Sequence, residues 1–145
     1  MGRRCLLIVV GACLLVSACH VSVSVGTHTT TSAAGGPQIT RIQLAQDYQN
    51  GQAVNPTTNF PPNSTFHAVI QVTGAVAGTK VKTSWTAVDA NGQQNQLIDE
   101  KEVDVSTDGP IDAYLTLPRP WPTGQYKVDV YLNNTLDRSI PFNVQ

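Results

Sequence analysis

The chain has 145 residues, 13% of them charged and 6% aromatic. That is one domain's worth of polypeptide, and its stock of Val, Thr, Gln and Asn suits a β-rich fold better than a helical one. Setting aside Arg3 and Arg4 at the amino end leaves seven Lys/Arg against ten Asp/Glu, a net charge of -3; this excludes the basic patch that a nucleic-acid partner requires.

The amino end is basic through Arg4, apolar over residues 5–16 ("CLLIVVGACLLV"), then rich in small residues. This order reads as a secretory signal peptide. The apolar run falls short of the roughly 20 residues that span a bilayer. Arg3–Arg4 raises a twin-arginine export route, but the rest of that motif is missing. "VSAC" (16–19) resembles the bacterial lipobox, in which the cysteine becomes the lipidated amino terminus. By that resemblance residues 1–18 are a lipoprotein signal peptide, and Cys19 carries a thioether-linked diacylglycerol. "VGAC" at Val10–Cys13 fits the same pattern but would leave a very short apolar region. The alternative is ordinary cleavage after Ala18, with a free thiol behind it. Two acyl chains anchor a protein stably where one does not. His20, not Asp, follows Cys19, which by the known sorting rule sends the lipoprotein to the outer membrane where two membranes exist. Cys5 and Cys13 leave with the leader, so the fold cannot rest on a disulfide.

Residues 19–37 comprise Cys19 and a small, polar, Gly-rich tether. "VSVSV" within it could still pair as a strand. From residue 38 to 145 the pattern alternates with period two, broken by turn signals. "ITRIQLA" (39–45) is a first strand, followed by a long polar stretch with Asn55–Pro56 and Pro61–Pro62–Asn63 as breakers. "TFHAVIQV" (65–72) puts Phe66, Ala68, Ile70 and Val72 on one face. "TKVKTSWTAVD" (79–89) turns Val81, Thr83, Trp85 and Ala87 inward and Lys80, Lys82 and Ser84 to water. Asn91–Gly92 reverses the chain. "QLIDEKEVDV" (96–105) is a charged, peripheral strand, and "IDAYLTL" (111–117) alternates again. "GQYKVDVYL" (124–132) aligns Tyr126, Val128, Val130 and Leu132, and "TLDRSIPFNV" (135–144) returns after Asn133–Asn134.

About seven short strands, a tryptophan on the third and a tyrosine opening the penultimate one predict an all-β, immunoglobulin-like β-sandwich. Tyr126 sits two residues before Val128, as a tyrosine corner precedes the second cysteine of such domains, and Ile70 takes the first cysteine's place. Trp85 and Tyr126 are then core residues. A small β-barrel fits the same pattern.

"GTKVKTSWTAVD" and "PWPTGQYKVDVYLNNTLDRSIPF" together resemble a family of small bacterial lipoproteins and envelope proteins with one immunoglobulin-like domain. The resemblance spans roughly Phe60 to Val144. It implies the fold, and it carries over no activity and no functional residue.

Chemistry is sparse. His20 and His28 fall in the tether and His67 stands alone on an outward strand face, too few convergent ligands for a metal. Asp99, Glu100, Glu102 and Asp104 lack a calcium loop's spacing and read as a solvated edge. Ser64, Ser84, Ser106 and Ser139 have no glycine elbow and only His67 as a base, so no enzyme, cofactor or metal is expected. Sequons at Asn63 and Asn133 matter only in a cell that glycosylates. Tyr114 and Tyr131 on outward phases, and Trp121 between prolines in a loop, are candidate partner-surface residues; the alternative is that Trp121 staples its loop and the tyrosines pack on neighbours. The sequence thus leads to a lipid-anchored envelope protein with a non-catalytic interaction module that binds an envelope protein. Its alternatives are a structural accessory subunit of a membrane-bound complex, or a metal-binding or enzymatic periplasmic protein.

Overall fold

Residues 35–145 are described in the structure, a computed structural model. The expected signal peptide, Cys19, His20, His28 and the expected tether through residue 34 lie outside the described residues. The alternation of apolar and polar side chains becomes nine strands: β1 (Gln38–Gln49), β2 (Gln52–Pro56), β3 (Asn59–Phe60), β4 (Phe66–Thr73), β5 (Thr79–Ala90), β6 (Gln93–Val105), β7 (Gly109–Leu115), β8 (Gly124–Leu132) and β9 (Thr135–Val144). They form a four-stranded sheet in the order β2-β1-β4-β7 and a five-stranded sheet in the order β3-β9-β8-β5-β6. The two sheets share no ladder, so the arrangement is a sandwich and the barrel alternative falls.

Three tight hairpins fix the registers. Asn50–Gly51, Asn91–Gly92 and Asn133–Asn134 each place two successive residues at positive φ, between 49° and 79°. Two-residue turns of this kind match the right-handed strand twist, and Asn and Gly tolerate them best. They join β1 to β2, β5 to β6 and β8 to β9. The polar stretch after Ala45 is therefore not all loop: β1 runs on to Gln49 and β2 and β3 lie within it. β3 adds a short parallel pair to the edge of β9.

The inward faces meet as expected. Phe66, Ala68, Ile70 and Val72 from β4 have no exposure; Val81 and Trp85 from β5 and Val128 and Val130 from β8 have at most 1%. Trp85 stands opposite Val128 in the ladder, and Ile70 and Val128 are both fully buried in the core. Around Phe66 five rings converge, from Phe60, Trp85, Trp121, Tyr126 and Phe142, with centroids 4.7 to 6.5 Å away. Ser84 departs from expectation. It is 8% exposed, because it sits on the outer face opposite the buried Asp129 of β8.

The far part of β1 does not continue in the plane of its sheet. A Cβ on Gly51, at the hairpin tip, would lie 3.3 Å from Pro110 Cγ on β7, although β4 stands between β1 and β7. The β1–β2 hairpin thus arches over the outer face of the sheet. It covers Val69, an outward-phase residue left 8% exposed, and encloses a polar cavity of about 200 Å³ lined by Arg41, Gln43 and Gln71.

Candidate functional site

The described chain begins at one end of the sandwich: Gln38 pairs with Thr73, and the carbonyls of Gly35 and Gly36 lie beside Gly74. The opposite end gathers the end of β5, the start of β6 and β8, and the β7–β8 connection, since Ala90 pairs with both Gln93 and Gly124. A 12-residue strand such as β5 separates the two ends by roughly 36 Å at the usual rise per residue. At this far end lies a cleft of about 330 Å³, near the lower bound for small-ligand pockets.

A β-bulge builds one wall. Trp85 pairs with Asp99 and Thr86 with Leu97, so Ile98 is left without a partner. An extra residue of this kind bends its strand and re-aims side chains. Leu97 and Ile98, neighbours that a regular strand would send to opposite faces, consequently both line the cleft. Leu97 remains 57% exposed.

Residues 116–123, "TLPRPWPT", form the other wall. Pro118, Pro120 and Pro122 fix alternate φ angles and remove their N–H donors. Both Trp121 donors are used. Trp121 N–H reaches Pro62 O at 2.7 Å, and its indole Nε1–H reaches Ser64 O at 2.9 Å. Tyr126 O–H donates to Pro122 O at 2.6 Å, a tyrosine-corner bond to backbone four residues upstream. Burial pushes the Tyr126 phenol above its ordinary value. With their polar atoms already bonded, Trp121 and Tyr126 offer the cleft only apolar ring surface. Leu117 and Pro122 complete that floor, and Asn91, Gln93, Gln96 and Arg119 form a polar rim.

Trp121 is therefore not a surface residue. It is 4% exposed, tilted against Phe66 at 4.7 Å, and it staples the loop to the sandwich. Tyr131 is half-buried with the Lys82 ammonium 4.5 Å over its ring. Tyr114 is 53% exposed, with Lys101 Nζ 5.6 Å from its ring. Trp121 belongs to the far end, whereas Tyr131 lies on the outer face of one sheet and Tyr114 on the other. The three do not form one patch. The residues that sequence reasoning missed, Leu97 and Arg119, left a partial signal: an apolar pair directly ahead of a charged run, and a lone cation among prolines.

Elsewhere the polar groups serve the fold. His67 Nδ1 lies 3.0 Å from both Asp112 carboxylate oxygens and its ring lies tilted to that of Tyr114 with centroids 6.0 Å apart, so it is not isolated. Asp47, on the arched hairpin, is held below the usual carboxylate range by the Gln49 amide first, then the Tyr48 N–H, with a contribution from His67. Glu102 and Asp104 pair with Lys80, and Glu100 with Lys82, along the exposed face of β6. Among the described residues no three His, Cys, Asp or Glu side chains gather as metal ligands. A depression of about 440 Å³ follows the β6–β7 turn, but residues 103–111 of that one segment supply its whole lining. The far-end cleft draws together separate elements, an apolar floor and an exposed charge.

No protein-family model matches the chain, and no curated protein does. Solved structures do. An immunoglobulin-like protein from Pseudomonas aeruginosa superposes with a TM-score of 0.55 at 20% identity, over 78% of this chain and 99% of that one. A DNA glycosylase, AlkC, from Pseudomonas fluorescens gives 0.49 at 11% identity, over 75% of this chain and 30% of that one. A β-glucosidase from Listeria innocua gives 0.46 at 13% identity, over 72% and 16%. At such identities the likeness extends to the fold alone, and the two scores below 0.5 support no argument. The domain is an immunoglobulin-like β-sandwich.

Proposed function

We propose that this protein is an envelope lipoprotein, anchored through a diacylated Cys19, whose immunoglobulin-like domain is a non-catalytic module that binds another envelope protein through the far-end cleft. The observation that carries the reading is the polarity of the domain. Its first described residues enter at one end, and the cleft opens at the other, roughly 36 Å away. A tether from a lipid-bearing residue 19 would hold the entry end toward the membrane and leave the cleft facing outward.

The chemistry of the cleft favours binding over catalysis. Its aromatic hydroxyl and indole N–H are already bonded to backbone carbonyls, and its rim offers amides and one guanidinium, which orient a ligand without moving protons. The proline-rich wall is pinned at both Pro62 and Ser64, so little ordering remains for binding to do.

Metabolic labelling with palmitate, followed by detergent-phase partitioning, tests the anchor. The wild type is expected to take label and enter the detergent phase, Cys19→Ser to do neither, and Cys13→Ser to match wild type. Label that survives Cys19→Ser but not Cys13→Ser would move the anchor to residue 13, and label on none of the three would refute lipidation.

A further inference from the structure

Resting on the cleft as the binding site, we infer that its occupant is the carboxyl-terminal end of a polypeptide whose last residue is apolar, with the terminal carboxylate on Arg119. Arg119 is the one charged side chain lining the cleft; among the described residues it, Arg41 and Lys101 make no ion pair, whereas Lys80, Lys82, Lys127 and Arg138 do. No carboxylate lines the cleft beside it, in a domain whose sequence from residue 20 onward is net negative. The complementary ligand is an anion.

The rest of the lining narrows that class. One guanidinium matches one carboxylate, which it grips through two parallel N–H···O bonds; a dianionic phosphate would call for further cations or converging backbone N–H groups. The floor of Leu97, Leu117 and the Trp121 and Tyr126 rings accepts an apolar side chain next to that charge. Asn91, Gln93 and Gln96 each bring both a donor and an acceptor, as the peptide groups of an incoming chain do. An alkyl carboxylate would satisfy Arg119 and the floor but leave those amides facing hydrocarbon, at the cost of unmade hydrogen bonds. The combination of cation, apolar floor and amide rim fits a peptide end best, and the volume of about 330 Å³ limits the buried part to the last residue or two.

The test uses the full chain in a mild detergent and a pool of acetylated hexapeptides, randomised at five positions and ending in leucine, valine or phenylalanine. The same pool is prepared with an amidated end, and hexanoate serves as a third probe. The free-acid pool is expected to bind at least about tenfold more tightly than the amidated pool, because a charge-assisted pair is lost on amidation. Arg119→Gln is expected to erase that difference, and Leu97→Ser to weaken the acid pool while keeping the preference. Equal binding of acid and amide, both lost in Leu97→Ser, would overturn the carboxylate assignment and leave the cleft as a binding site. Hexanoate binding that depends on Arg119, without peptide binding, would replace the peptide with a small carboxylic acid. No binding by any probe, or binding indifferent to both substitutions, would refute the inference. In the last case, loss of partner cross-linking from the cleft in intact envelopes decides whether the cleft reading fails too.

Discussion

Replacing Trp85 by alanine tests whether the two sheets meet where the ring stack puts them. The indole is 1% exposed and lies 6.5 Å from the Phe66 ring of the opposite sheet in a stacked pair and 6.0 Å from Phe142 edge to face. A tryptophan buries on the order of 150–250 Å², and at about 25 cal/mol per Å² that is roughly 4–6 kcal/mol of transfer free energy. Alanine recovers part of it, while the cavity left behind adds a cost, so truncations of this kind lose about 3–5 kcal/mol. Against a total stability of about 5–15 kcal/mol, the domain stays folded but far weaker. Urea unfolding followed by emission of the remaining Trp121 reads the change directly. With a slope near 2 kcal/mol/M, the midpoint falls by about 2 M. A loss under about 1 kcal/mol would mean that Trp85 does not bridge the sheets and that the register of β5 against the core is wrong.

Tyr126→Phe keeps the ring and strands the Pro122 carbonyl, so a loss of about 1–3 kcal/mol at neutral pH is expected in the same assay. Burial raises the Tyr126 pKa above its ordinary 10.0, so above pH 10 the unfolded chain gives up that proton before the folded one. Stability then falls as pH rises, and Tyr126→Phe should flatten this alkaline limb; parallel limbs would contradict the assignment. Gly124 sits at φ +150°, and a Cβ there would collide with the Asp89 carbonyl and approach Ala90 Cα to 2.8 Å. Gly124→Ala is expected to cost more than about 1 kcal/mol and to weaken cleft binding, and a neutral outcome on both would refute the close approach. Leu97→Ser, at a position 57% exposed, should stay within about 0.5 kcal/mol of wild type. Reductant should leave the unfolding midpoint unchanged, because residues 20–145 contain no cysteine.

The inward half of the fold was legible because alternation is a direct image of burial. Val81, Thr83, Trp85 and Ala87 point inward for the reason the pattern gives: successive side chains of a strand face opposite ways. The β1–β2 hairpin was harder. Beyond Ala45 its residues are mostly polar, since that part arches over the outer face of the sheet while Ile39 and Leu44 of β1 reach the core, and Asn50–Gly51 was the signal for the turn. Trp121 misleads by context. Flanked by prolines it reads as an exposed loop residue, yet its two N–H groups find carbonyls in the distant Pro62–Ser64 segment, a contact no local pattern encodes. The cleft was the least legible element. It depends on a bulge at Ile98, which inverts the alternation locally, and on Arg119, whose significance lies in the neighbours the fold gives it.

Site-specific photo-cross-linking in intact envelopes tests the central claim most directly, with a benzophenone side chain at Leu97 in the cleft or at Val76 at the entry end. Both positions are more than half exposed, at 57% and 60%, so reach to solvent is matched. The account predicts a discrete protein adduct from position 97, none from position 76, and loss of the adduct when Arg119→Gln is added. A protein adduct from position 76 with none from position 97 would contradict it.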